Sequence, residues 1–150
     1  MDQLSRRIGT LALLLGMATP VFAQQPAVAG RLKVVSGTAF IVRQNMETPA
    51  QVGQVVFEDD AFKTGADGRI GATLNDETRI SIGPNSEVRL TRFMYAPADG
   101  RLGLALRFVR GVAAYVSGRI AKLSPDSIRL ETPEAIIGIR GTRLAIRVAE

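Results

Sequence analysis

The chain contains no His and no Cys, which leaves few options for catalysis and makes its carboxylates the candidate metal ligands. Without imidazole or thiolate there is no His base, no Cys nucleophile, no Cys/His zinc or iron–sulfur site and no disulfide. Two acidic clusters stand out. Glu58, Asp59 and Asp60 carry oxygens of the kind that hold Ca²⁺. Three successive residues of an extended chain point to alternate sides, however, and do not converge on one ion. Asp60 is therefore expected to cap the approach to a turn, and no metal is assigned. Asp76 and Glu77 form a carboxylate pair, the groups that cleave glycosidic bonds from ~5–9 Å apart. Set between Asn75 and Thr78 they read as a tight turn, which does not place two carboxyls across a sugar. No G-x-G-x-x-G opens a helix after a strand and no P-loop is present. The chain reads as non-catalytic, with no cofactor.

Binding chemistry is better represented. The net charge is +5, carried by sixteen arginines against Lys33, Lys63 and Lys122. Arg89 and Arg92, Arg107 and Arg110, and Arg143 and Arg147 fall at strand positions, on a solvated sheet face or on a patch for an anionic partner. Asn85 and Ser86 follow Gly83-Pro84, either as a turn closed by short polar side chains or as an exposed recognition loop. Arg140 lies between Ile139 and Gly141 in an apolar stretch. Its planar five-donor fork suits either loop carbonyls at a sheet corner or an anionic partner. Asn85, Ser86 and Arg140 are the candidate partner-binding residues. Gly65 and Gly68 bracket Ala66-Asp67, as in a turn that needs positive φ.

The elements that position these residues are strands. At 150 residues there is room for one domain. Period-2 alternation dominates from residue 34. Residues 34–42 are β-rich, 44–49 form a polar loop, and 54–63 resume the strand pattern before the turn at 64–68. Ile70, Ala72 and Leu74, then Ile80 and Ile82, mark a hairpin with one apolar face. Further strands are expected at 88–95, from Leu102 to Phe108, at Ile128 and Leu130, and at 143–148. Residues 109–123 fit a helix face as well as a strand, but Gly111 and Gly118 each cost a helix ~1 kcal/mol, so strand is expected. The fold class is all-β: a compact two-layer or partly closed domain of short, mainly antiparallel strands.

Residues 1–23 read as a secretory signal peptide. Arg6 and Arg7 precede an apolar core at 8–17, Thr19-Pro20 breaks it, and Val21-Phe22-Ala23 offers a cleavage site. The core is short of the ~20 residues that span a membrane. Ser5-Arg6-Arg7 hints at twin-arginine export, but Ile8-Gly9-Thr10 fits that signal poorly and the general route is favoured. The expected organisation is signal peptide 1–23, linker 24–33 and a β domain at 34–150, periplasmic or secreted in a Gram-negative type of cell. The mature chain is then not membrane-spanning. Export, and aromatic residues at only 5%, argue against nucleic acid.

Several motifs together resemble one family. They are Val35-Ser36-Gly37-Thr38-Ala39, residues 55–60 and Thr64-Gly65-Ala66-Asp67-Gly68-Arg69. Then come Leu74-Asn75-Asp76-Glu77-Thr78-Arg79-Ile80-Ser81-Ile82-Gly83-Pro84-Asn85-Ser86 and Gly111, and finally Thr132-Pro133-Glu134-Ala135 and Gly138-Ile139-Arg140-Gly141-Thr142. In order and spacing they resemble the FecR domain, the extracytoplasmic part of FecR-type sensors. The resemblance implies an all-β fold and a part in receiving or relaying signals in the cell envelope. In the best-known members it implies a response to an outer-membrane transporter during iron–siderophore uptake, and control of a sigma factor through a separate cytoplasmic segment. No such segment is expected ahead of the signal peptide, so sigma-factor control is not expected in cis. The expected partner is an envelope protein or an anionic envelope polymer. The alternative is a carbohydrate- or peptidoglycan-binding structural module.

Overall fold

Alternation buries one side of most strands. In the hairpin, Ile70, Ala72, Leu74, Ile80 and Ile82 are at most 2% exposed, while Arg69 and Arg79 face solvent. The computed structural model describes Pro20, Ala23 and residues 25–139 and 143–149. In chain order the strands are β1 Val28–Ser36, β2 Ala39–Arg43, β3 Met46–Pro49, β4 Val55–Phe57, β5 Ala61–Thr64 and β6 Arg69–Leu74. They continue with β7 Arg79–Ile82, β8 Glu87–Ala96, β9 Arg101–Val116, β10 Ile128–Glu131, β11 Ile136–Ile137 and β12 Arg143–Val148. A single turn of helix, α1 Arg119–Leu123, lies between β9 and β10.

The sheet curls round one core, and β9 is the strand that makes this possible. Its residues 101–110 pair with β8, and residues 104–107 of the same half pair with β10. Its residues 111–116 pair with β12, and 113–116 pair with β7. One layer therefore runs β4-β1-β6-β7-β9-β12, and the other β3-β2-β5-β8-β9-β10-β11. All pairings are antiparallel except β9 with β10. Gly111, at φ +84°, marks the change of layer. A Cβ there would run into the Ser86 hydroxyl on the neighbouring corner. Leu32, Phe62, Ile80, Leu90, Leu104, Leu106, Tyr115 and Leu130 meet between the layers at 0% exposure. The expected all-β, mainly antiparallel class is the one observed.

The structure departs from sequence expectation at four places. Strand β1 begins at Val28, inside the stretch expected to be linker, because Ala29 and Leu32 are fully buried and the strand bridges β4 and β6. Residues 46–49, expected as loop, form β3; its side chains are all exposed, so no apolar alternation marks it, and only pairing to β2 defines it. The strand expected over 109–123 ends at Val116, and α1 follows with Ile120 fully buried. Gly65 and Gly68 do not have positive φ. A Cβ on either would crowd Thr38, so close approach of the β1–β2 turn explains them instead.

Candidate functional site: an arginine-framed sheet face

Both acidic clusters are committed to the fold. Asp60 is fully buried and held by a bidentate ion pair, Arg43 Nε to Oδ1 at 2.8 Å and Nη2 to Oδ2 at 2.7 Å. It also accepts the Phe57 N–H at 2.8 Å, and Arg43 lies over the Phe57 ring. The partner carboxylate holds the Arg43 guanidinium pKa above its ordinary value. Asp76, also fully buried, accepts the Thr78 N–H and hydroxyl and the Ile120 N–H. Its carbonyl accepts the Arg119 N–H at 2.7 Å, so this turn docks α1. Nearby, the Tyr115 hydroxyl is buried without a hydrogen-bond partner. Desolvation, and then the Asp76 charge, push its pKa up to about 12 against a smaller opposing pull from the nearby Thr78 hydroxyl, which itself donates to Asp76. Among the described residues no three potential metal ligands cluster.

The unengaged chemistry lies on the outer face of the layer containing β12. Strand register aligns its outward residues in three rows. The first is Arg31, Thr73, Arg79, Val116 and Arg143. The second is Val34, Gly71, Ser81, Ala114 and Ala145. The third carries Ser36 and Arg69, then Val112 and Arg147. Small side chains in the middle row leave an open trough of about 520 Å³, lined by Val34, Arg69, Gly71, Ser81, Ala114 and Arg147 among others. Outer rows four residues apart along a strand are separated by ~13 Å.

Arg69, Arg79, Arg143 and Arg147 are exposed and make no ion pair among the described residues. The opposite outer face differs. There Arg89 pairs with Glu87 and Arg129 with Glu131, and Arg110 stands opposite Glu87 in register. Arg92, Arg107 and Arg110 on that face make no ion pair among the described residues either, so the two faces differ in that acids stand among the arginines of one and not among the outward residues of the other.

The candidate residues fall around this face unevenly. Asn85 is exposed at φ +50°, at the tip of the β7–β8 corner. Ser86 is fully buried: its hydroxyl accepts the Val112 N–H at 2.9 Å and donates to the Pro84 carbonyl at 2.8 Å. It fastens the corner to the Val112 end of the trough. Arg140 lies outside the described residues. Arg143 and Arg147 were legible as outward residues in the sequence. Arg69 and Arg79 were not read as part of the same face, although each precedes a small residue by two positions (Gly71 and Ser81), the local trace of a cationic rim beside a shallow floor.

The structure also explains the motifs that carry the family resemblance. Asp67 accepts the Thr38 N–H at 3.1 Å, tying the β5–β6 turn to the β1–β2 turn. That bond holds its carboxyl below the usual value. The Asn75–Thr78 stretch docks α1, and the Gly83–Ser86 stretch builds the corner at Gly111. No curated protein and no solved structure matches the chain. The family model for FecR protein matches residues 60–150, from the buried Asp60 through β12. With its turn motifs placed as structural joints and more than half its length matched, the chain belongs to the FecR family, which serves signalling in the cell envelope.

Proposed function

We propose that the chain is a non-catalytic FecR-type module, carried to the periplasm or exterior by the signal at 1–23. It binds a protein of the cell envelope through the arginine-framed face and so takes part in envelope signalling. The observation that carries this reading is the set of unpaired arginines around a small, largely apolar floor, in a member of an envelope-signalling family. A solvated face with no binding role would be expected to mix both signs of charge, as the opposite face does. Asn85 stands beside the trough as a further contact, on the corner that Ser86 fixes. Arg140 remains in the proposed contact set on the strength of its motif alone. Iron–siderophore uptake is the stimulus the family resemblance favours. The carbohydrate or peptidoglycan reading is less well supported, because among the described residues no aromatic ring lines the trough for a sugar to stack on.

The test is capture from envelope extract by the tagged full chain, against an Arg69→Glu/Arg79→Glu variant of unchanged melting temperature. The expected result is a protein retained by the wild type at low salt and lost by the variant. Equal retention by both would overturn the assignment of this face. Retention of cell-wall polymer alone would favour the structural module.

A further inference from the structure

We infer that the partner engages β12 by adding an acidic β-strand to its free edge. The inference rests on the envelope-protein reading and names the element of the partner that makes the contact. Strand β12 pairs with β9 on one side and with nothing on the other among the described residues. Its outer N–H and C=O groups therefore present a template for a further strand. The other sheet edges are poorer templates. Strand β4 has three residues, β11 has two, and β3 ends in Pro49. Strand β12 offers six residues in unbroken register, with no proline and no bulge.

Side chains on that edge state the chemistry of the occupant. Arg143 and Arg147 project from the outer face without a carboxylate partner among the described residues. On the inner side Leu144 and Val148 are only half-buried, although the residue between them, Ile146, is 7% exposed. The core is thus incompletely covered along this edge. An antiparallel strand with apolar residues opposite Leu144, Ile146 and Val148 would complete the cover. Carboxylates opposite Arg143 and Arg147 would pair across the strands, a favourable cross-strand arrangement. A second copy of the chain is the wrong occupant. With outward residues kept on one face, antiparallel overlap over 143–147 sets Arg143 opposite Arg147, where like charges destabilise the sheet, and overlap over 144–148 sets Arg147 opposite Ala145, so β12 of a second copy offers neither arginine a carboxylate. A peptide lying on the trough instead of its edge would leave its own backbone groups unpaired, because those of the sheet face are already used in the ladders.

The probe is a labelled, end-capped peptide with the core Val-Glu-Val-Thr-Val-Glu, which laid antiparallel sets its valines opposite Val148, Ile146 and Leu144 and its glutamates opposite Arg147 and Arg143, titrated against the purified full chain by fluorescence anisotropy. Binding should weaken at least tenfold with Lys in place of Glu, and likewise in Arg143→Glu/Arg147→Glu. Two further peptides carry N-methyl groups on alternate residues, one on each set. Only one edge of an added strand faces β12, so one N-methylated peptide should lose binding and the other should keep it. Backbone amides within 143–148 should gain protection from hydrogen exchange when the parent peptide binds. Failure of the parent peptide to bind would overturn the inference, as would binding indifferent to both N-methylation patterns or without protection in β12. The two readings fail separately. If capture from envelope extract is still lost in Arg69→Glu/Arg79→Glu while the peptide does not bind, the face stands and the strand-addition mode falls. If the peptide binds but capture is unchanged in that variant, the face assignment falls.

Discussion

The most consequential single contact is the fork between Arg43 and Asp60. Arg43 is 41% exposed at its side chain and its partner carboxylate is 0% exposed, so deletion of the arginine strands a buried charge. Arg43→Ala should lower stability by ~3 kcal/mol in urea denaturation, the scale of a broken buried pair. Lys63→Ala removes an ion pair to Glu47 of which both members are solvated, and should cost at most ~1 kcal/mol. Tyr115 makes the opposite case, a buried hydroxyl without a partner. Tyr115→Phe should leave stability at neutral pH unchanged or raise it by up to ~1 kcal/mol, since a desolvated donor is removed. Its alkaline behaviour has a definite sign. The folded pKa, about 12, lies above the unfolded value of 10.0. The neutral phenol therefore contributes stability in full below the unfolded value, and loses it as pH rises through the folded one. Unfolding free energy should fall above pH ~10 in the wild type and fall less steeply in Tyr115→Phe. A large loss at neutral pH in that variant would show that the hydroxyl is bonded after all.

At the scale of elements, α1 is held by backbone and carboxylate contacts to the β6–β7 turn more than by its own length. Five residues do not sustain an isolated helix. Its start is fixed by Gly118, whose N–H donates to the Thr78 hydroxyl at 3.2 Å. A Cβ at Gly118 would collide with the Asp76 carbonyl and the Thr78 backbone nitrogen, neither of which can swing away. Gly118→Ala should therefore cost ~1–3 kcal/mol, the range of an overpacked site. The accompanying sign should be faster hydrogen exchange at the Ile120 amide, which donates to Asp76. Gly138→Ala is the control, with no atom within 4 Å of the added carbon, and should change little.

For the whole molecule, repulsion within the cationic face should cost stability, which its proposed role would explain. Five exposed arginines, Arg31, Arg69, Arg79, Arg143 and Arg147, gather on one face without acids among them, while Glu87 and Glu131 stand among the arginines of the other. Salt screens such repulsion over ~10 Å at 0.1 M, so the wild-type melting temperature should rise between low and moderate salt. Arg69→Gln/Arg147→Gln should raise the low-salt melting temperature by about 1–3 °C and flatten its salt dependence. Arg89→Gln/Arg129→Gln, which takes partners from Glu87 and Glu131, should not raise it. Differential scanning fluorimetry across a salt series reads both variants, and equal shifts would mean that net charge alone, and not the placement of the arginines, sets the effect.

Alternation along the chain was enough to identify the hairpin of β6 and β7, its buried residues and most other strands, because a period of two is local and survives in any β arrangement. The absence of His and Cys removed whole classes of chemistry, and the ordered turn motifs pointed to the FecR family before any coordinates. Strand β3 and α1 escaped that reading. The first has no buried side chain to set a pattern, and the second exists only because Asp76 and Thr78 receive it. The arginine-framed face escaped for a deeper reason. Arg79 and Arg143 are far apart in sequence and become members of one row only through Val116, between them in register. That alignment depends on β9 passing from one layer to the other at Gly111, so that β7 and β12 flank its second half. Inward and outward are properties of a strand by itself. Which outward residues stand side by side is a property of pairing between distant strands, and only the folded sheet decides it.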